Sequence, residues 1–139
     1  MQLNPYLFFN GQCEAAFKFY APLLGGKIIA MMTHAGTPAE NQVPPEWREK
    51  IIHARMVIGD QVLMGSDAPP GHFQPQQGFS VSLMVDNAED AERIFPILAE
   101  NGTVKVVLPA SPVARACAIK APLRMKFTTG RPNPRFAKP

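Results

Sequence analysis

Residues 68–78 read Ala-Pro-Pro-Gly-His-Phe-Gln-Pro-Gln-Gln-Gly, and the pattern on one side of this segment starts again on the other. Before it, a short aromatic run (4–9) closes at Asn10-Gly11 and an amphipathic stretch follows. After it, the alternating run Phe79 to Val85 leads to a second amphipathic stretch. A strand needs a partner and an amphipathic helix needs a sheet to cover, so a repeated strand–helix–strand order restricts the chain to layered α+β architectures built from two similar halves.

The local signals are specific enough to draw element boundaries. From Cys13 to Leu24 the apolar residues Ala16, Phe17, Tyr20, Leu23 and Leu24 recur at three and four, which places them on one helix face. Gly25-Gly26 stops that helix, because glycine takes the left-handed cap conformation without steric cost. Pro22 bends its last turn or ends it early. Lys27 to Thr33 is a strand, and 36–45, with three prolines, is a loop. Ile51–Ile58 and Gln61–Ser66 form a hairpin through Gly59-Asp60. In the second half a helix is expected over 88–100, with Asp86 or Asn87 as N-cap, Ala91, Ile94, Phe95 and Leu98 buried, and Asn101-Gly102 as stop. Pro96 falls inside it, where proline costs about 3 kcal/mol unless the helix kinks. Thr103 to Leu108 is a further strand. The order is β-α-β-β-β, linker, β-α-β.

Composition narrows the class. At 139 residues the chain fits one domain, or two fused half-size modules sharing a core. No run approaches eighteen apolar residues and the N-terminus has no signal-peptide pattern, so no membrane partner and a cytoplasmic location are expected. Cys13 and Cys117 form no metal or redox spacing. The charge is divided. Residues 1–104 carry six Lys/Arg and all eleven acidic residues, whereas 105–139 carry the other eight basic residues, no acid and six of the fifteen prolines.

Several segments together resemble one family. Asn4-Pro-Tyr-Leu-Phe-Phe-Asn-Gly11, Cys13-Glu-Ala-Ala16, Phe19-Tyr20 ahead of Leu24-Gly-Gly26, Trp47, His53-Ala-Arg55, Leu63-Met-Gly-Ser-Asp67 and Ser82 to Arg93 resemble PhnB-like proteins. These belong to the glyoxalase/bleomycin-resistance (vicinal-oxygen-chelate) superfamily. The resemblance covers residues 3 to about 105 and implies two βαβββ modules whose mixed sheets curl around a shared cleft. Module one is then 1–67, the linker 68–78 and module two 79–108. The family would continue with a Phe-Trp pair, an Asp-Arg-Phe-Gly-like turn and a strand with Trp and Asn-Cys-Glu, none of which stands in the basic, Pro-rich segment 109–139. Either a shifted reading frame of a GC-rich gene or a divergent tail gives such a composition, and either leaves module two expected to be short of its last two strands.

The resemblance also implies where a metal would sit. Its ligand positions fall on Pro5, near Met64 and on Ser80, with a fourth in the missing strand. Proline and methionine supply no hard or imidazole donor, so no metal and no cofactor are expected. The methyltransferase label that such sequences carry has no support in the residues, since no Gly-rich loop follows a strand and opens a helix. The expected small-molecule pocket takes Leu7 and Phe9 from the first strand, His53 and Arg55 from the third, Met64 and Asp67 from the fourth, and Ser80, Ser82 and Met84 from the second half, with Trp47 as a lid or packed at the sheet edge. His53 is either a general base or a strand-end histidine satisfied by backbone. Asp67 caps a turn or serves as a carboxylate of the pocket. Cys13, near a helix start, is either an activated thiol or a structural one.

Three functions stay open: a metal-free binding protein with an unassigned reaction, a protein that sequesters small molecules without catalysis, and polyanion or nucleic-acid binding through the basic tail. The tail shows no recognisable module, so nucleic acid is the weakest of these. A homodimer is implied by the resemblance alone.

Overall fold

The computed structural model describes residues 1–75, 77–78, 81–85, 87–100, 104–107, 117–119 and 125–129, the last three segments through their backbone. The chain divides into two compact units, 1–76 and 77–139.

In the first unit β1 (Tyr6–Phe9), α1 (Cys13–Leu23), β2 (Lys27–Thr33), β3 (Ile51–Ile58) and β4 (Gln61–Asp67) follow in order, with two 3-10 turns at Glu40–Gln42 and Pro45–Trp47 in the 34–50 loop. The strands assemble as β1-β4-β3-β2. β1 runs parallel to β4, whereas β2–β3 and β3–β4 are antiparallel. The helix therefore crosses from one edge strand to the other and covers one face of the open sheet. That face is filled by Leu7 and Phe9 of β1, Ala54 and Met56 of β3, Leu63 of β4 and the α1 residues Phe17 and Tyr20, all at most 5% exposed.

Local chemistry fixes the ends of α1. Gly25 takes φ 64 and the Gly26 N–H returns to the Ala21 carbonyl at 2.7 Å, a left-handed stop as the Gly-Gly pair implies. Pro22 sits in the last turn, where it removes a single intrahelical bond. At the other end Gln12 supplies no side-chain cap. The free donor of Cys13 goes instead to Asp67 Oδ1 at 2.9 Å, and Asp67 Oδ2 accepts from the Ile51 N–H at 2.9 Å. One carboxylate thus ties the start of α1 and the start of β3 to the end of β4. Gly65 is the close-contact point of the same layer, since a Cβ there would lie 2.9 Å from the Leu7 carbonyl and 3.0 Å from the Phe17 ring.

The second unit repeats the plan with β5 (Val81–Val85), α2 (Ala88–Ala99), β6 (Val104–Val107), β7 (Cys117–Ile119) and β8 (Met125–Thr129). Its order is β5-β8-β7-β6, again with the first strand parallel to the last. The expectation of a shortened second module is corrected here: strands 117–119 and 125–129 supply the last two, drawn from the basic segment. The run Met-Lys-Phe-Thr-Thr is aromatic and β-branched enough to pair beside β5 although it lacks the family's end residues. α2 starts at Asn87, whose Oδ1 accepts from the Asp90 N–H at 2.7 Å, and it buries Ala91, Ile94 and Leu98 while retaining Pro96. Asp86, the other expected cap, lies outside the described residues.

Candidate functional site

The β1–β4 sheet has a second face, opposite α1, and the strand register determines what stands on it. Ala54 and Met56 point to the helix side, so Arg55 points away; its partners Met64 on β4 and Ala30 on β2, and Tyr6 beside Met64, complete one row across all four strands. The next row holds Phe8 beside Ser66 and Met32 beside His53. Phe8 and Met32 are both 51% exposed. The Tyr6 hydroxyl and His53 Nδ1 lie 3.3 Å apart, the two rings have centroids 5.9 Å apart, and Tyr6 and Phe8 rings are 5.2 Å apart. This face is an apolar floor of Phe8, Met32 and Met64 with a small set of polar groups: Tyr6 paired to His53, the Ser66 hydroxyl, and the Arg55 guanidinium.

The structure brings some of the expected pocket residues to this face and places others elsewhere. His53, Arg55 and Met64 share this face. Leu7 and Phe9 do not; each is 1% exposed and packs on the helix side, with the Phe9 ring edge-on to Phe17 at 6.3 Å. The phase of β1 is one residue from that expected, because Tyr-Leu-Phe-Phe is apolar on both faces and only the Leu7–Gly65 contact under Phe17 decides which pair goes inward. Tyr6 stands on this face instead, and its period-two relation to Phe8 is the sequence signal for it. Asp67 is 3% exposed and engaged with two backbone donors, so it clamps the fold and does not reach the polar face. Trp47 packs at the β1–α1 turn, with its ring 3.5 Å from a Cβ placed on Gly11 and Lys50 Nζ 6.0 Å above its centroid. Lys50 Nζ also donates to the Gly11 carbonyl at 3.1 Å. Ser82 and Met84 share the exposed face of β5 in the second unit, and Ser80 lies outside the described residues. His34, absent from the expected site, is 5% exposed and its ring nitrogens have no partner among the described residues.

Two chemistries can be weighed against these groups. The positions that the sequence resemblance implies for a metal hold Pro5 and, nearby, Met64, and among the described residues no three His, Cys, Asp or Glu side chains come together. Those side chains do not fit a divalent ion. A phosphate-bearing cofactor would need the turn after β1 and the first amides of α1. That turn is covered by Trp47 and Lys50, and the Cys13 amide is already taken by Asp67. The Cys13 thiol is fully buried, and burial together with the Asp67 carboxylate pushes it up to about 12, so it stays protonated and is no nucleophile at neutral pH. Burial likewise raises the Tyr20 phenol above its ordinary value.

The topology and the matched sequence agree on a class. The family model described as 3-demethylubiquinone-9 3-methyltransferase matches residues 1–118. The chain belongs to that family, the PhnB-like branch of the glyoxalase/bleomycin-resistance superfamily. Among individual proteins it is 32% identical to Protein YjdN of Escherichia coli K12, covering 76% of this chain and 78% of that protein. The crystal structure of PA1353 from Pseudomonas aeruginosa is similar at 36% identity and TM-score 0.79, over 94% of this chain and 96% of that one. A PhnB protein from Bacillus cereus follows at 20% identity and TM-score 0.72, over 94% and 100%. The fosfomycin resistance protein FosX of Listeria monocytogenes, at 10% identity and TM-score 0.61 over 96% and 94%, shares the fold. No described helix is long and apolar enough to cross a membrane.

Proposed function

We propose that this chain is a metal-independent small-molecule-binding protein of the glyoxalase/bleomycin-resistance type, cytoplasmic and homodimeric, whose ligand lies on the β1–β4 sheet face opposite α1. The observation that carries the reading is that face: an apolar floor, two of whose side chains are half exposed, around a Tyr6–His53 pair and a guanidinium. Binding sites for small organic molecules combine mostly apolar walls with a few placed polar groups in this way. Metal independence is supported by the identity of the side chains at Pro5 and Met64. The hydrogen bond between the Tyr6 hydroxyl and Nδ1 fixes the His53 ring, which leaves Nε2 to meet a ligand as donor or as acceptor. His53 is the residue that would move a proton in any reaction on this face.

The test uses the full chain with labelled methionine methyls and 2-naphthamide as probe. Met32 and Met64 resonances are expected to shift and saturate while Met31, which pairs with the buried Ala54, stays still. The same titration after EDTA is expected to be unchanged; loss of binding would overturn metal independence, and shifts confined to other methionines would overturn the site. His53→Ala separates a catalyst from a sequestering protein, since sequestration survives the change.

A further inference from the structure

The charges on the β1–β4 strands are few and unbalanced. Across all four strands the only ordinarily charged side chains are Lys27, Arg55 and Asp67. Asp67 lies on the helix side with both oxygens engaged by backbone donors. The polar face therefore carries cations and no strand carboxylate. Arg55 stands at its centre, on an inner strand, between Met64 and Ala30 and two residues along the same strand from His53. Its Nε is buried, and among the described residues it has no hydrogen-bond partner and Arg55 makes no ion pair. A guanidinium stays charged at any physiological pH and presents donors in a fixed planar fork. Leaving such a buried donor unmatched is unfavourable, and protein interiors rarely leave one.

We propose that the ligand is an oxyanion-bearing small molecule with an apolar body, its carboxylate, phosphonate or phosphate received by Arg55 and its body laid on Phe8, Met32 and Met64. This rests on the reading of the face as a ligand site and adds the chemical class. The fork matches two oxygens of such a group at once, which an uncharged ligand cannot exploit. His53, two residues along β3 from Arg55, offers a further donor to the same group. Specificity follows from the same imbalance. A cationic ligand would meet Arg55 with no carboxylate on the strands to offset it.

The experiment compares 2-naphthoate, 2-naphthylphosphonate and neutral 2-naphthamide on the full-length protein by calorimetry, with the Met32 and Met64 methyls as position markers. The wild type is expected to bind both anions at least about tenfold more tightly than the amide. Arg55→Met, which keeps length and apolar stem, is expected to bring all three within about twofold of one another. Its melting temperature is expected to be unchanged or raised, because a buried Nε donor without a partner is removed. Arg55→Lys keeps the charge without the fork and is expected to retain part of the preference. If the amide binds the marked face as well as the anions do, or if Arg55→Met keeps the preference, the oxyanion inference is overturned and the binding site stands. If none of the three moves the Met32 and Met64 resonances, both fall.

Discussion

Asp67→Ala isolates the clamp that joins three elements of the first unit. The carboxylate accepts two backbone N–H groups, each at 2.9 Å, from Cys13 and Ile51, which are 0% and 2% exposed. Hydrogen bonds to a charged acceptor contribute about 1.5–3 kcal/mol each, and the two amides would be left buried without a partner. Part of the loss is offset because the carboxylate no longer has to be desolvated, so about 3–4 kcal/mol is expected for Ala and about 2 kcal/mol for Asn, which keeps one accepting oxygen. That is a large share of the 5–15 kcal/mol typical of a domain. Urea unfolding should show a lower midpoint at unchanged m, and amide exchange should accelerate most at Cys13 and Ile51, by about a hundredfold for Ala. Removing the negative charge should also lower the Cys13 thiol from its value of about 12, although burial, the larger cause, remains. A loss below about 1 kcal/mol at unchanged m, or protection at Cys13 and Ile51 that is untouched, would refute the clamp. Affinity of Asp67→Asn for 2-naphthamide should equal that of the wild type, since the side chain is on the other side of the sheet.

Gly65→Ala places a methyl 2.9 Å from the Leu7 carbonyl oxygen, a backbone atom that cannot swing aside, and should lower stability by about 1–3 kcal/mol in thermal unfolding. Gly26→Ala meets Ile58 Cγ1 at 2.9 Å and both Met56 Sδ and the Val57 carbonyl oxygen at 3.1 Å, so a loss of similar size is expected there; an unchanged melting temperature for either variant would refute the argument from close packing. The Cys13 thiol gives a pH signature. Its folded pKa of about 12 lies above the roughly 8.5 of an unfolded cysteine, so above pH 8.5 the unfolded chain binds fewer protons and stability declines as pH rises toward 12. By pH 10 this amounts to about 2 kcal/mol. Cys13→Ala should flatten the urea midpoint between pH 8.5 and 10.5 relative to the wild type, and an unchanged slope would count against a protonated buried thiol.

The sequence made most elements of the first unit legible because their punctuation is chemical: Gly25-Gly26 ends α1 and Gly59-Asp60 turns the hairpin, each within a residue of the structure. Period three-and-four on α1 likewise located Ala16, Phe17, Tyr20 and Leu23 in the core. What failed was phase and distance. Four consecutive apolar or aromatic residues in β1 carry no alternation, so the sequence does not say which pair turns toward α1; the packing of Leu7 and Phe9 against Phe17 and against Gly65, which lies more than fifty residues further on, does. Asp67 was legible as a cap but not as a cap for residues 16 and 54 positions away, which no local window contains. The strands at 117–119 and 125–129 were hidden by an Ala, Arg and Pro background that reads as a frame-shifted or divergent tail.

Each half of this chain pairs its opening strand, side by side and in the same direction, with its closing one. During synthesis β1 must wait for residue 67 and β5 for residue 129 before either gains its hydrogen-bonded neighbour. Completion of both sheets therefore waits on the slow meeting of distant ends, even where a local hairpin such as β3–β4 closes early. A nascent or clipped polypeptide stopping short of residue 125 would leave β5 without its mate, an open template along which other molecules can stack.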